Sequence, residues 1–112
     1  TLDFALVRLA DLLDKMIIYP KTMLKNLNLT KGLVFSQEMM LELTKTGMSR
    51  EKSYKMIQNH AKKSLDSNIN LIDLIKKDKN ITDKISNSKI DKIFTYNKHF
   101  KNVNYIFRRV FK

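Results

Sequence analysis

Hydrophobic and polar positions along this chain recur with a helical period from the first residues. Between Leu2 and Ile18 the polar side chains Asp3, Arg8, Asp11, Asp14 and Lys15 fall, at about 100° per residue, on one stripe under half the circumference wide. Leu2, Phe4, Ala5, Leu6, Val7, Leu9, Ala10, Leu12, Leu13, Met16 and Ile17 occupy the rest. So broad an apolar surface needs contacts on more than one side. The remaining lysine-rich residues are too few to supply them, so part of the helix is expected to be covered by protein outside the chain.

The later segments follow the same period. Tyr19-Pro20 interrupts the first pattern, and Pro20 suits the first turn of a short helix to about Leu27. Thr30 is expected to cap a helix from Lys31 to about Lys45, with Leu33, Val34, Met40, Leu41 and Leu43 on its face and Phe35 and Met39 flanking. Gly47 supplies a left-handed stop, and Ser49 caps a helix to about Leu65 with Glu51 in its first turn and Tyr54, Ile57 and Ala61 on one side. After a connector at Asp66–Asn70 come a short helix, Leu71–Lys77, closed by Lys79-Asn80, and a second, Lys89–Phe94, capped by Ser88. The last amphipathic segment, Asn97–Phe111, is built on Phe100, Val103, Ile106, Phe107 and Val110. No stretch alternates with period two, so the predicted fold class is all-α.

Composition narrows the function. With 112 residues, two glycines and one proline, the chain fits one small helical domain. The absence of cysteine excludes disulfides and makes a reducing compartment, the cytoplasm, the default expectation. The opening segment carries Asp3, Asp11 and Asp14 and lacks a basic lead, which argues against a signal peptide, and no run approaches the roughly 18 apolar residues of a membrane span. An apolar pattern that begins at once, without a polar lead-in, reads as a piece of a longer polypeptide.

The formal charge of +11 raises the question of nucleic acid. Only four basic residues are arginines (Arg8, Arg50, Arg108 and Arg109), although arginine is the usual bidentate reader of phosphate. The lysines are scattered among Asn and Ile, so the charge reads as solvated lysine-rich surface, with no nucleic-acid partner expected.

Candidate chemistry is sparse. His60 stands in Gln58-Asn-His-Ala-Lys62 with no acidic partner near it in sequence, and His99 sits between Lys98 and Lys101, cations that repel a further positive charge. Ser49 reads as a cap and Ser36 as a small residue at a helix crossing. Gly32 and Gly47 lack the spacing and lysine of a phosphate loop. The methionines Met16, Met23, Met39, Met40, Met48 and Met56 read as core filler. Asp66, Asp73 and Asp78 lie on separate connectors, and Arg108-Arg109 reads as charge at a helix C-terminus. The sequence therefore assigns no catalytic, cofactor-binding or metal-ligating residue within the chain.

One resemblance gives these elements a context. Tyr19-Pro20, Met23, Asn26-Leu27, Thr30, Gly32-Leu33 and Phe35-Ser36-Gln37 are followed by Gly47, Ser49, Arg50, Glu51, Tyr54 and Gln58. The closing pattern stands at Phe94, Phe100, Val103, Ile106-Phe107 and Arg109-Val110. Together these resemble the C-terminal helical domain of the adenylosuccinate lyase family, in the fumarase/aspartase superfamily. The chain departs from the pattern at Glu38, where a basic residue is common, at Ser53, where Ala usually precedes the Tyr, and at Asn97-Lys98-His99.

The resemblance implies an enzyme that eliminates fumarate from adenylosuccinate, giving AMP, and from the succinyl-carboxamide ribotide of purine synthesis. A related domain occurs in carboxymuconate cycloisomerase relatives. It also implies a homotetramer with pooled long helices, residues 1–18 forming the end of a core-bundle helix and 19–112 a helical cap. The catalytic Ser, histidines and Lys–Asn motif of the family would lie upstream of Thr1. Two other readings are a basic nucleic-acid-binding module and a helical protein that self-associates through its first helix.

Overall fold

The computed structural model describes residues 1–111, and among them every regular element is helical. Eight α-helices follow in order: α1 (Leu2–Asp14), α2 (Pro20–Asn28), α3 (Ser36–Lys45), α4 (Arg50–Ser67), α5 (Leu71–Lys77), α6 (Lys79–Thr82), α7 (Asn87–Ile93) and α8 (Val103–Val110). Two 3-10 turns, Leu33–Phe35 and Asn97–Phe100, precede α3 and α8.

The first helix stops at Asp14, short of the expected Ile18. Proline restricts the residue before it, and Tyr19 is held outside the helical region at φ −110°, ψ 80°, so the chain leaves helical geometry before Pro20 opens α2 at its first position.

The expected helix from Lys31 is also displaced. Lys31 and Gly32 are both left-handed, at φ 53° and 82°, so the backbone turns sharply and α3 begins only at Ser36. Thr30 is therefore not a cap; its hydroxyl donates back to Leu27 O at 3.1 Å. The turn has a tertiary role, since Lys31 O accepts the Leu71 N–H at 2.9 Å and fixes the start of α5.

Gly47 takes the left-handed conformation at φ 91°, and Ser49 caps α4 by accepting the Lys52 N–H. Helix α4 continues to Ser67, past the expected Leu65, and closes on Asn68 at φ 54°. Asp78 ends α5 and caps α6 by accepting the Asn80 N–H at 2.9 Å. Helix α7 is capped by Ser86 rather than Ser88, so it starts at Asn87 and ends at Ile93.

The core is formed by Phe35, Met39 and Leu43 of the α3 arm, Ile57 of α4, Leu71 and Ile75 of α5, Ile81 and Ile85 around α6, and Ile90 and Ile93 of α7. Phe35, Met39 and Leu43 recur at four-residue spacing and make the buried stripe, whereas Leu41 and Val34, expected on that face, are half-exposed. Burying each such side chain contributes about 1.5–3 kcal/mol. Phe94 and Tyr96 extend the core, with ring centroids 5.3 and 5.0 Å from Phe35. Glu42 pairs with Lys45 of its own helix and Lys89 of α7, and Lys76 of α5 pairs with Asp91 of α7.

None of the core comes from α1, α2 or α8. The ten large apolar residues of α1 and the segment after it, Leu2 to Ile18, are 52–75% exposed. Met16 and Met23 are exposed with them, so of the six methionines only Met39 is buried, with Met40, Met48 and Met56 packed against the core. The radius of gyration is 19.5 Å, against about 13 Å for a compact chain of this length. The molecule thus has a closed body and helices left open.

Candidate functional site

Three features stand out from the closed body: one histidine–carboxylate pair, one groove and the uncovered apolar helices. The first revises the sequence-based expectation for His60. His60 and Asp78 are eighteen positions apart, yet the turn between α4 and α5 and the length of α5 bring Nε2 to 2.8 Å from Asp78 Oδ2. Both side chains are mostly covered, 14% and 18% exposed.

Burial pushes the Asp78 carboxyl up, but hydrogen bonds from His60 and from the Asn80 N–H and side-chain amide outweigh it, so its pKa lies below the ordinary carboxylate value. His60 Nδ1 is buried without a hydrogen-bond partner. The pair links α4 to the α5–α6 junction.

His99 is exposed, its ring stacked near Phe35 at 6.4 Å, while the adjacent Lys98 donates to Ile93 O at 2.6 Å and pairs with Glu38. Glu38, a departure from the family pattern, thus has a definite partner here. Asp66 and Asp73 are exposed and are brought to neither histidine. Arg108 and Arg109 lie in the last turn of α8, as expected for charge at a helix C-terminus. Among the described residues no three His, Cys, Asp or Glu side chains are grouped to hold a metal, and no helix is long and apolar enough to cross a membrane.

The groove, of about 930 Å³, lies between α3 and α4. Met40, Ile57 and Ala61 line it together with Gln37, Arg50, Tyr54 and Gln58. Ser36 and the Arg50, Glu51, Tyr54 and Gln58 of the second element singled out in sequence thus converge on one surface. Spacing along α4 could have revealed it: Arg50, Tyr54, Ala61 and Gln58 occupy one stripe, next to the buried stripe of Ser53, Ile57 and Ser64.

The uncovered helices complete the picture. On α8, Val103, Ile106, Phe107 and Val110 share one face with Phe100 beside it, and all are exposed at 38–66%. These features define a helical domain with a small closed core and exposed apolar helix faces outside it. Comparison with known families places it more narrowly. The family model described as "Adenylosuccinate lyase C-terminus" matches residues 32–110, which contain the entire core, and the chain belongs to this family.

Its relatives include the adenylosuccinate lyase of Helicobacter pylori (strain ATCC 700392 / 26695), 42% identical over 123 residues, covering 100% of this chain and 28% of that protein. The adenylosuccinate lyase of Bacillus subtilis (strain 168) is 33% identical over 109 residues, with 97% of this chain and 25% of that protein covered. That of Streptococcus mutans serotype c is 34% identical over a stretch of the same length. The chain therefore spans about a quarter of the length of the curated relatives it matches.

Proposed function

We propose that the chain is the C-terminal helical part of an adenylosuccinate lyase. The whole enzyme eliminates fumarate from adenylosuccinate, giving AMP, and from the succinyl-carboxamide ribotide. The reaction removes a proton β to the leaving nitrogen while an acid protonates that nitrogen, and so needs a poised base, an acid and fixed positive groups around the developing charge. Those groups lie in the part of the enzyme outside this chain, which contributes no catalytic, cofactor-binding or metal-ligating residue.

The observation that carries this reading is the alignment of the entire chain with about a quarter of each lyase, combined with an apolar α1 that the chain leaves uncovered. Residues 1–18, helical as far as Asp14, form the end of a core-bundle segment and residues 19–112 the cap. The partners of α1 are the rest of the polypeptide and sister subunits of a cytoplasmic homotetramer. Nucleic acid is not a partner: no retention on immobilised DNA is expected at about 50 mM salt, a condition under which phosphate binders hold tightly.

The test is fumarate release, followed by absorbance, from both substrates. The full-length protein is expected to turn over and the 112-residue chain to be silent. Turnover by the isolated chain, or none by a folded full-length protein, overturns the reading.

A further inference from the structure

We propose that the α3–α4 groove seats an α-helix from the part of the same lyase polypeptide that lies outside this chain, a helix with an apolar stripe edged by carboxylates. The proposal rests on the lyase reading for its source and on the groove itself for its chemistry.

The spacing indicates a helix. Arg50, Tyr54, Ile57 and Ala61 line the groove along α4 and are separated by four, three and four residues. This alternation keeps one edge of a helix facing a neighbouring helix over several turns. From Arg50 to Ala61 the seam is about 16 Å long at 1.5 Å per residue, or three turns. Ala61 at its far end lets a neighbouring backbone approach closely, while Met40 of α3 and Ile57 supply apolar contact.

A compact metabolite fits less well. Such ligands bind in pockets that enclose most of their surface, whereas here Arg50, Tyr54 and Gln58 are exposed along an open trough.

Charge sets the chemistry of the occupant. Arg50 and Lys55 both line the groove, and among the described residues neither is in an ion pair; Glu51 is the one acidic residue beside them. An incoming helix with carboxylates beside its apolar stripe would satisfy these cations and repel the wrong register. The source follows from length. The matched relatives have about three quarters of their residues outside the aligned region, and a tethered helix docks at a high effective concentration.

The test is photo-crosslinking in the full-length protein that carries this sequence. Benzoylphenylalanine replaces Tyr54 in the groove and, in a separate variant, Lys63, which lies about 180° around α4 on its solvent side. Crosslinks from position 54 to peptides outside residues 1–112, absent from position 63, are expected. Crosslinks confined to residues 1–112, including α1 of a second copy, or a yield at position 54 no higher than at position 63, overturn the proposal.

A second measurement guards against a misfolded probe variant. Ala61→Trp fills the groove, so it is expected to lower the melting temperature of the full-length protein by several degrees while leaving that of the 112-residue chain unchanged. Equal effects on both overturn the proposal. The two readings fail separately. A full-length protein that crosslinks as expected but releases no fumarate overturns the lyase reading and leaves the seated helix, while one that releases fumarate without the crosslinks does the reverse.

Discussion

Asp78 accepts from His60 Nε2 with Oδ2 at 2.8 Å and from the Asn80 N–H with Oδ1 at 2.9 Å, so one carboxylate serves both a tertiary link and a helix cap. Its pKa is lowered in the folded chain, as is that of Glu42, held down by hydrogen bonds from Lys45 and Lys89. Above the ordinary values of 3.8 and 4.5 both groups are ionised whether the chain is folded or not, and their contribution to stability is complete. As pH falls below those values the unfolded chain takes up protons first, and the contribution is lost by the time the folded groups protonate. Urea denaturation at a series of pH values is therefore expected to show falling stability below about pH 4.5, with a shallower fall in Asp78→Asn. An equally steep fall in that variant would exclude the carboxylate as a source.

The Ser53 hydroxyl is fully buried on α4 and has no hydrogen-bond partner. Leaving such a group unsatisfied costs about 1–3 kcal/mol. Ser53→Ala removes that cost with little change of volume and restores the residue usual in the family pattern. The substitution is expected to stabilise the chain by about 1 kcal/mol, read as a higher urea midpoint with unchanged slope.

Gly32 and Gly47 both have left-handed backbones, but their surroundings differ. A Cβ at Gly47 would meet nothing within 4 Å, so Gly47→Ala carries only the conformational cost of about 1–2 kcal/mol. A Cβ at Gly32 would lie 3.4 Å from the Phe94 ring, which itself packs on Phe35. Gly32→Ala is expected to cost more than Gly47→Ala in thermal melts. Equal losses would show that the Phe94 ring shifts without penalty.

The apolar surface of α1 contributes nothing to the core. Leu6→Lys combined with Leu13→Lys is therefore expected to leave the unfolding free energy of the isolated chain within about 0.5 kcal/mol of wild type. The same pair should reduce concentration-dependent light scattering by removing adhesive surface. Unchanged scattering would mean that the isolated chain does not self-associate through α1.

A core truncation provides the contrast. Met39 is fully buried, and Met39→Ala should cost about 2–5 kcal/mol by leaving a cavity. Urea melts of the two variants side by side separate the closed body from the open helices.

Much of this was legible in the sequence where local chemistry decides. The all-α class follows from helical periodicity; Ser49 caps α4, Gly47 is left-handed, and Leu71–Lys77 forms as spaced. The family was legible because its motifs spread across the chain. Legibility failed where distant parts meet. The composition around His60 gives no sign of Asp78, because that contact depends on how α4 turns into α5. Thr30 looked like a cap, but Lys31 and Gly32 turn left-handed so that Lys31 O can reach Leu71 N. The face of α3 was misjudged because Leu41 and Val34 are as apolar as Met39; only packing distinguishes them. Only the α4 wall of the α3–α4 groove was legible, as one stripe of Arg50, Tyr54, Gln58 and Ala61; the α3 wall was not, since Ser36 and Gln58 become neighbours only after the hairpin forms.

Every buried apolar side chain lies between Phe35 and Ile93. Two kinds of genetic lesion should therefore behave differently in cells. Damage within that interval yields a polypeptide that never collapses and is cleared by proteases. On the proposed lyase reading, damage on the outlying helices instead leaves that interval folded and the polypeptide abundant, with the loss confined to contacts these helices make beyond the core.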